Sequence, residues 1–401
     1  RRSVLKASPR HTYPARAFSM QTYMYSAVSL VAWALMLLSS RSDVGAFQPS
    51  AHQSSPRPTN TRLFNTWSNG QAIKEYQDFL ESGNQDIPMK DDVPSLVVAP
   101  STGDPKSWDL VAAVIALGAG EDVVIQPGTP LPAEVGGSSS FPVYVCVYPS
   151  ELESFLENLP SDWKAKQSDM VFFSGSKKCG CIEPILKKRG LARDSMTQVL
   201  AAFSMPGPTG KPQDLSVKIG VDAVGEDKWA GEAAVCGEWQ GAFAERLERN
   251  GIRCKTGFYR DWRRWMWERL AYDAAFNLIG AVRSEPTKMK DVALYYGEEV
   301  SDMLWEISGA LRGNLAVTLS YGFEERVFGV GENAEDEICE LDEAVYPFLY
   351  DNALLNSKML VEYLNFAKDE FGMLTNVELP ISRTDKPSLM RQGNLRADGA
   401  I

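Results

Sequence analysis

Short apolar runs alternate with amphipathic segments from about residue 91 onward. The apolar runs predict four β-strands, at 95–100, 122–126, 143–148 and 169–175. Apolar residues at helical spacing predict α-helices between them, at 106–120 and 150–159. Strands that alternate with helices are typical of a parallel sheet covered on both faces. The pattern therefore predicts an α/β domain, which we place at 91–225.

Beyond residue 225 the apolar positions follow long helical periods. Helices are predicted at 226–250, 259–283, 290–321 and 340–371. We therefore expect an all-α C-terminal domain over 226–380. A lead-in helix is predicted within 65–90, and a disordered tail at 381–401.

The segment GENAEDEICELDE at 331–343 lies between two of these helices and carries seven acids and no base. It lacks the Gly and Asp/Asn spacing of a calcium-binding loop. We interpret it as a solvated connection, with a cation site as the alternative. The sequence predicts no other metal site.

The first 64 residues have the composition of a targeting presequence. An apolar run at 27–38 is followed by Val44-Gly45-Ala46, the small residues of a signal-peptidase site, so 1–46 is predicted to be a signal peptide. The segment 47–64 contains Ser, Thr, Pro and Arg but no acid, as in a disordered transit peptide. Together they resemble the bipartite presequences of plastid proteins in diatoms and related algae. The resemblance implies the stroma of a secondary plastid, and a membrane anchor with a disordered linker is the alternative.

Charge and composition exclude several function classes. The net charge is −11, and the first 64 residues hold eight Lys/Arg against one acid, so the remainder is more acidic still. Such a surface repels phosphate backbones, so we expect no nucleic acid as a partner. The two histidines, His11 and His52, both lie in the predicted presequence. After its removal we expect no membrane attachment, and acid or base chemistry would fall to Lys, Asp, Glu, Tyr or Cys.

Six cysteines are scattered along the chain without the spacing of a disulfide framework. Only Cys179 and Cys181 are close in sequence, and residues so near each other form a disulfide only with strain. We therefore expect reduced thiols in a reducing compartment, with a redox-responsive pair as the alternative.

The turn after the first predicted strand lacks the glycines of a dinucleotide-binding loop. A G-x-G-x-x-G turn lets the backbone approach a pyrophosphate at a helix N-terminus, whereas the turn APSTGDPKSWD has one glycine, two prolines and two aspartates. The prolines remove N–H donors, and the aspartates bring negative charge to the place of a phosphate. The remaining candidates for cofactor binding in this turn are Ser101, Thr102, Gly103 and Lys106.

The predicted helix 259–283 places three polar side chains four residues apart, at Arg269, Asp273 and Asn277. Residues at this spacing share one face of a helix. Arg269 is therefore either an anchor for an anionic ligand or the partner of Asp273 in an i,i+4 ion pair. Three tryptophans precede the stripe, and we expect them to be packing residues, with a ring-stacking site as the alternative.

The helix motif Trp-x-Arg-Leu-x-x-Asp-x-x-x-Asn, from Trp267 to Asn277, resembles that of ketopantoate reductase and its relatives in the 6-phosphogluconate dehydrogenase-like group. Their helix has the order Trp-x-Lys-Leu-x-x-Asn-x-x-x-Asn. The order of the other elements agrees over roughly 95–380, although no single motif is intact. The resemblance implies a Rossmann-like parallel sheet domain followed by an all-α C-terminal domain. It also implies NADPH as cofactor and a small 2-oxo acid as substrate.

The departures from the family pattern fall on its chemistry. Arg269 stands where the family has its catalytic lysine, and an arginine is a poor proton donor because its pKa is too high. Asp273 replaces the first helix asparagine, and Ser174 replaces the Asn of the family's Asn-Gly pair. Asn277 and Gly175 match the family, and the resemblance implies that Ser174 and Gly175 take part in cofactor binding.

Two functions follow from this pattern. In the first, the chain kept the fold, lost intact dehydrogenase chemistry, and binds a small anionic metabolite or a protein partner. In the second, it is an active NAD(P)H-dependent reductase in which Arg269 holds the substrate and Tyr272 donates the proton. The loss of both the glycine loop and the lysine favours the first. A homodimer is left open.

Overall fold

The computed structural model describes residues 89–101, 108–175, 178–191, 193, 196–207, 209–214, 232–334, 336–341, 346–350 and 354–373. These residues belong to one unit, Leu63–Ile401. The predicted presequence, nearly all of the lead-in helix and the C-terminal tail lie outside the described ranges.

Seven strands form one sheet in the order β2-β1-β3-β4-β5-β6-β7. All neighbours are parallel except β5 and β6, which run antiparallel. The chain runs outward in both directions from the β1/β3 pair, and in open α/β sheets ligands bind beyond the carboxyl ends of the strands at such a reversal. The strands are β1 (Leu96–Val98), β2 (Val123–Ile125), β3 (Val143–Val145), β4 (Met170–Ser174), β5 (Thr197–Leu200), β6 (Ala233–Cys236) and β7 (Cys254–Thr256).

Helices cover both faces of the sheet, which explains why its central strands are continuous apolar runs. Val97 of β1 faces one apolar core and Val98 faces the other, because successive side chains of a strand point to opposite sides. The helices of this part are α1 (Asp109–Leu117), α2 (Pro149–Glu157), α3 (Ser161–Lys164), α4 (Glu183–Lys188) and α5 (Gln240–Glu248), with a 3₁₀ turn at Gln167–Asp169.

The chain beyond β7 is helical in every described element. Its longest helix is packed against the sheet by Trp262, whose indole N–H donates to the carbonyl of Ala234 at 3.3 Å. Trp262, Trp265 and Trp267 are all buried, so the packing interpretation of these rings is confirmed. The helices are α6 (Tyr259–Ala281), α7 (Met289–Tyr295), α8 (Gly297–Leu315), α9 (Phe323–Asn333), α10 (Tyr346–Leu349) and α11 (Lys358–Phe371), with a 3₁₀ turn at Leu354–Asn356.

The predicted fold class, a parallel α/β sheet followed by helices, is confirmed. The helix predicted at 226–250 is wrong at Ala233–Cys236, which is a buried strand, and the helix that the structure describes in this range begins at Gln240. Short apolar runs do not distinguish a strand from a buried helix by periodicity. The sheet therefore extends past residue 225, where the sequence placed the end of the α/β domain.

Two long predicted helices are divided in the structure. The helix predicted at 290–321 is two helices that meet at Tyr296. The helix predicted at 340–371 contains the short helix Tyr346–Leu349, the 3₁₀ turn Leu354–Asn356 and the longer helix that begins at Lys358. Ser357 caps that helix by accepting a hydrogen bond from the backbone N–H of Leu360 at 3.2 Å. None of the helices in the described ranges combines the length and hydrophobicity that a membrane span requires.

Candidate functional site

The polar stripe of α6 is buried and bonded within itself. Nε of Arg269 donates to Oδ2 of Asp273 at 3.1 Å, so the i,i+4 ion pair forms. The amide nitrogen of Asn277 donates to the carbonyl of Asp273 at 2.8 Å. Asp273 and Asn277 are fully buried, and Arg269 is 7% exposed. The guanidinium that the sequence offers to a ligand is therefore neutralised by a carboxylate of its own helix.

Tyr272, the predicted proton donor, lies directly beside this pair. Its ring is 4.9 Å from the guanidinium carbon of Arg269, and its hydroxyl has no hydrogen-bond partner among the described residues. Burial raises the pKa of Tyr272 well above its ordinary value. Because a general acid works best with a pKa near the operating pH, this phenol is poorly suited to the role.

Part of the acidic segment folds onto the stripe. The backbone N–H of Glu340 donates to the side-chain oxygen of Asn277 at 3.3 Å, and Cys339 is buried. Burial alone would lower the pKa of Arg269, yet the charges of Asp273 and Glu337 raise it. The interpretation of 331–343 as a solvated connection is therefore wrong for Cys339, whose side chain packs against α6.

The family's Asn-Gly position, here Ser174-Gly175, is also closed. The hydroxyl of Ser174 donates to the carbonyl of Gly180 at 3.1 Å, and the N–H of Gly175 donates to the same oxygen at 2.8 Å. Gly175 has a φ of +78°, and a Cβ added there would lie 2.5 Å from Leu200 and 2.8 Å from Met266 of α6. The turn is thus packed against α6, the helix that carries the polar stripe.

A buried ionic cluster that the sequence did not reveal ties α4 to α6. Oε1 of Glu183 lies 2.6 Å from Arg193 and 2.8 Å from Arg263. Burial would raise the pKa of Glu183, but the two arginines hold it below its ordinary value. Arg263 lies eighty residues from Glu183 in sequence, so no local pattern could have identified the cluster. The carboxylate of Glu183, paired with two arginines, therefore stabilises the packing of α4 against α6.

At the carboxyl end of β1, an acid occupies the donors that a phosphate would use. Both the backbone N–H and the hydroxyl of Ser101 donate to Oε2 of Glu151, each at 2.9 Å. Glu151 lies in the first turn of α2, and Asp109 in the first turn of α1 pairs with Lys178. Thr102, Gly103 and Lys106, predicted to hold a cofactor, lie outside the described residues.

A cavity of about 400 Å³ opens beside Ser101. Its size falls within the range usual for small-molecule sites. Trp163 stacks edge-on against Phe155 with ring centroids 6.2 Å apart, and its indole N–H has no hydrogen-bond partner among the described residues. The lining residues are Ser101, Pro127, Gly128, Ser150, Glu151, Ser154, Phe155, Asn158, Leu159, Pro160 and Trp163.

The described residues at this edge do not fit NADPH well. A pyrophosphate needs uncommitted N–H donors and a positive helix terminus, whereas here Glu151 accepts from both donors of Ser101. The first turns of α1 and α2 each add a carboxylate. A dinucleotide would have to displace the carboxylate of Glu151 from Ser101 and would lie near the carboxylate of Asp109.

Comparisons with known proteins give distant structural likenesses only. No protein-family model and no curated protein matches this chain. D-mandelate dehydrogenase in complex with NADH is similar at 12% identity with a TM-score of 0.37, over 71% of this chain and 94% of the other. A ketopantoate reductase of the PanE/ApbA family from Ralstonia eutropha has 14% identity and a TM-score of 0.37, over 71% and 94%. A putative 2-dehydropantoate 2-reductase from Enterococcus faecalis has 12% and 0.32, over the same shares. Likenesses at this level do not assign an activity.

Proposed function

We propose that this chain is a diverged relative of the ketopantoate reductase-like proteins that has lost dehydrogenase chemistry and acts by binding a small anionic metabolite. A protein partner, or a second copy of the chain, fits the same proposal. Among the described candidates, Arg269, Asn277 and Ser174 are engaged in hydrogen bonds within the protein. The metabolite would therefore bind in the cavity beyond β1 rather than at the polar stripe of α6.

One observation carries this proposal, the ion pair between Arg269 and Asp273. In the family pattern these two positions are Lys and Asn. Arginine keeps the positive charge of the lysine, whereas aspartate brings a carboxylate that the asparagine lacks. In the structure this carboxylate neutralises the cation, because Arg269 and Asp273 form a buried salt bridge at 3.1 Å. An acid/base residue has thus been replaced by a structural pair.

Titration of the full chain with NADPH tests the loss of chemistry. Ten tryptophans report binding through their fluorescence. We expect no saturable change up to about 100 µM NADPH, a typical KM scale, and no NADPH oxidation with a panel of small 2-oxo acids. A known ketopantoate reductase serves as the positive control. Oxidation of NADPH that depends on a 2-oxo acid would overturn the proposal.

The alternative is an active NAD(P)H-dependent reductase of a small 2-oxo acid. The position of the cavity favours it, since the cavity lies at the β1/β3 reversal where α/β enzymes hold their cofactors. Under this alternative Arg269 would have to release Asp273 to reach a substrate. Turnover in the oxidation assay that is abolished by Arg269→Ala would support it.

We also propose that the protein acts in the stroma of a secondary plastid. The support is the apolar run at 27–38 followed by the acid-free segment 47–64. A fluorescent protein fused after residue 64 is expected to enter the plastid of a diatom. Deletion of 47–64 should leave the fusion in the secretory route, and plastid entry without that segment would contradict the proposal.

A further inference from the structure

The helical part of the chain carries an exposed tryptophan that is held in a fixed position. Trp305 of α8 is 58% exposed, whereas Trp163, Trp239 and the three tryptophans of α6 are buried. Its indole N–H donates to Oε2 of Glu324 at 2.8 Å, and its ring meets that of Phe323 edge-on with centroids 5.1 Å apart. An exposed ring that is already fixed loses little conformational freedom on binding, and tryptophans of this kind are frequent at the centres of protein interfaces.

A second exposed ring belongs to Tyr321, just before α9. Its side chain is 82% exposed, and its backbone carbonyl accepts a hydrogen bond from Nη1 of Arg326 at 2.8 Å. The same guanidinium forms a buried ion pair with Glu268 at 2.7 Å, so the backbone beneath the phenol is fixed. Because consecutive Cα atoms are about 3.8 Å apart, Tyr321 lies within about 8 Å of Phe323, the residue that Trp305 contacts.

The surface around Trp305 is acidic. Glu298, Asp302 and Trp305 are exposed and follow each other at intervals of four and three residues, so they share one face of α8. Glu325 is exposed in the first turn of α9. Within the described part of the chain, these three carboxylates take no part in an ion pair. The only base of α8 is Arg312, two turns beyond Trp305.

The charge of this surface restricts what can bind to it. Nucleic acids and anionic membranes carry phosphates, which the carboxylates repel. A second copy of the chain that docked here about a two-fold axis would bring the same carboxylates opposite each other, since such an interface pairs a patch with itself. A cationic partner is attracted instead. Arginine is the best fit among cationic side chains, because its planar guanidinium stacks on aromatic rings and pairs with both oxygens of a carboxylate.

We propose that the face formed by Glu298, Asp302, Trp305, Tyr321 and Glu325 docks a protein partner through an arginine-rich segment of that partner. One guanidinium stacks on Trp305, and the carboxylates of Asp302 and Glu325 bind neighbouring cationic side chains. The inference rests on the proposed function in so far as that function includes a protein partner. It depends neither on the cavity beyond β1 nor on the loss of dehydrogenase chemistry.

Two short peptides provide the test, one with four arginines separated by serines and one with citrulline in place of each arginine. Citrulline keeps the planar end of the side chain and removes its charge. With the full chain in isothermal titration calorimetry at about 50 mM salt, we expect the arginine peptide to bind with a Kd below about 1 mM. The citrulline peptide should bind at least roughly tenfold more weakly. No binding of the arginine peptide, or equal binding of the two, would overturn the inference.

Trp305→Ala and Tyr321→Ala test the two rings. Each should weaken binding of the arginine peptide by roughly fivefold, the energy of one contact between a cation and an aromatic ring. Trp305→Ala also removes the contacts with Glu324 and Phe323, so thermal unfolding is used to show that the variant is folded. Tyr321→Ala removes an exposed side chain and leaves the backbone bond to Arg326 in place. Unchanged affinity in every folded variant of this pair would contradict the proposed docking.

Matched double variants test whether the local carboxylates matter. Asp302→Asn with Glu325→Gln removes two charges from the proposed face and should weaken binding of the arginine peptide about tenfold. Glu134→Gln with Asp162→Asn removes the same charge from exposed positions of the sheet domain and should change it less than about twofold. Equal losses would show that the peptide responds to the net charge of the chain, and the inference would be wrong.

The two proposals fail in different ways. Reduction of a 2-oxo acid by NADPH would remove the proposed function, even if the chain still preferred the arginine peptide to the citrulline peptide. Equal binding of the two peptides, without any NADPH oxidation, would remove only the docking face on α8 and α9.

Discussion

Arg269→Met is expected to lower the free energy of unfolding by about 3–5 kcal/mol, measured by urea denaturation. Asp273 is 0% exposed and would lose the guanidinium at 3.1 Å that compensates its buried charge. A buried carboxylate without a partner is far more costly than a buried pair, because the protein interior solvates it poorly. The size of the loss therefore reports whether this arginine has a structural role.

Two further variants separate this structural role from a ligand-binding one. The double variant Arg269→Met/Asp273→Leu should recover most of the loss, since apolar replacement of a buried pair is often neutral. Arg264→Met removes a partly exposed pair with Asp261 on the same helix and should cost less than about 1 kcal/mol. If Arg269→Met retained full stability but lost the binding of a carboxylate ligand, Arg269 would be an anion anchor, and our interpretation would be wrong.

Arg246→Met is expected to destabilise the sheet domain by a similar amount, about 3–5 kcal/mol. Arg246 of α5 is 1% exposed and lies between two carboxylates, 3.0 Å from Asp92 and 3.0 Å from Asp122. Asp122 also accepts from the backbone N–H of Ser95 at 3.0 Å, so the cluster holds α5 against the amino ends of β1 and β2. Removal of the arginine leaves both carboxylates without their shared cation.

Arg253→Met is the control for this measurement. Arg253 contacts Asp214 at 3.0 Å and Glu232 at 3.3 Å, but its side chain is 49% exposed and the pairs are screened by water. We expect a loss below about 1 kcal/mol. Equal losses for Arg246→Met and Arg253→Met in urea denaturation would show that burial of the cluster does not matter.

The alternation of apolar runs was sufficient to predict the first four strands and the two longer helices between them, α1 and α2. The strand centres were correct because both faces of the sheet are covered, which makes each strand a continuous apolar run. The same property caused the error at Ala233–Cys236, where four apolar residues fit the helical pattern although Gly237, with a φ of +98°, separates them from the helix that begins at Gln240. Local periodicity holds no information on which sheet edge such a segment completes.

The candidate site was likewise predicted only in part from the sequence. Four-residue spacing predicted the stripe of Arg269, Asp273 and Asn277, and the structure contains it. The sequence left open whether Arg269 pairs with Asp273 or with a ligand, because both fit the same spacing. The cover provided by Glu337 and Cys339 was not predictable, since those residues lie more than sixty positions away in a segment with the composition of a solvated loop.

The sequence by itself determined the class of fold, the buried helix with its polar stripe, and the absence of a glycine-rich phosphate loop. These are properties of neighbouring residues, and the periods of strands and helices express them directly. Only the tertiary structure determined which residues each charged side chain contacts. Glu151 meets Ser101 across fifty residues, and Arg246 meets Asp92 across more than a hundred and fifty. Such pairings depend on how distant segments pack, because a charge becomes structural or functional only through the groups that are buried beside it.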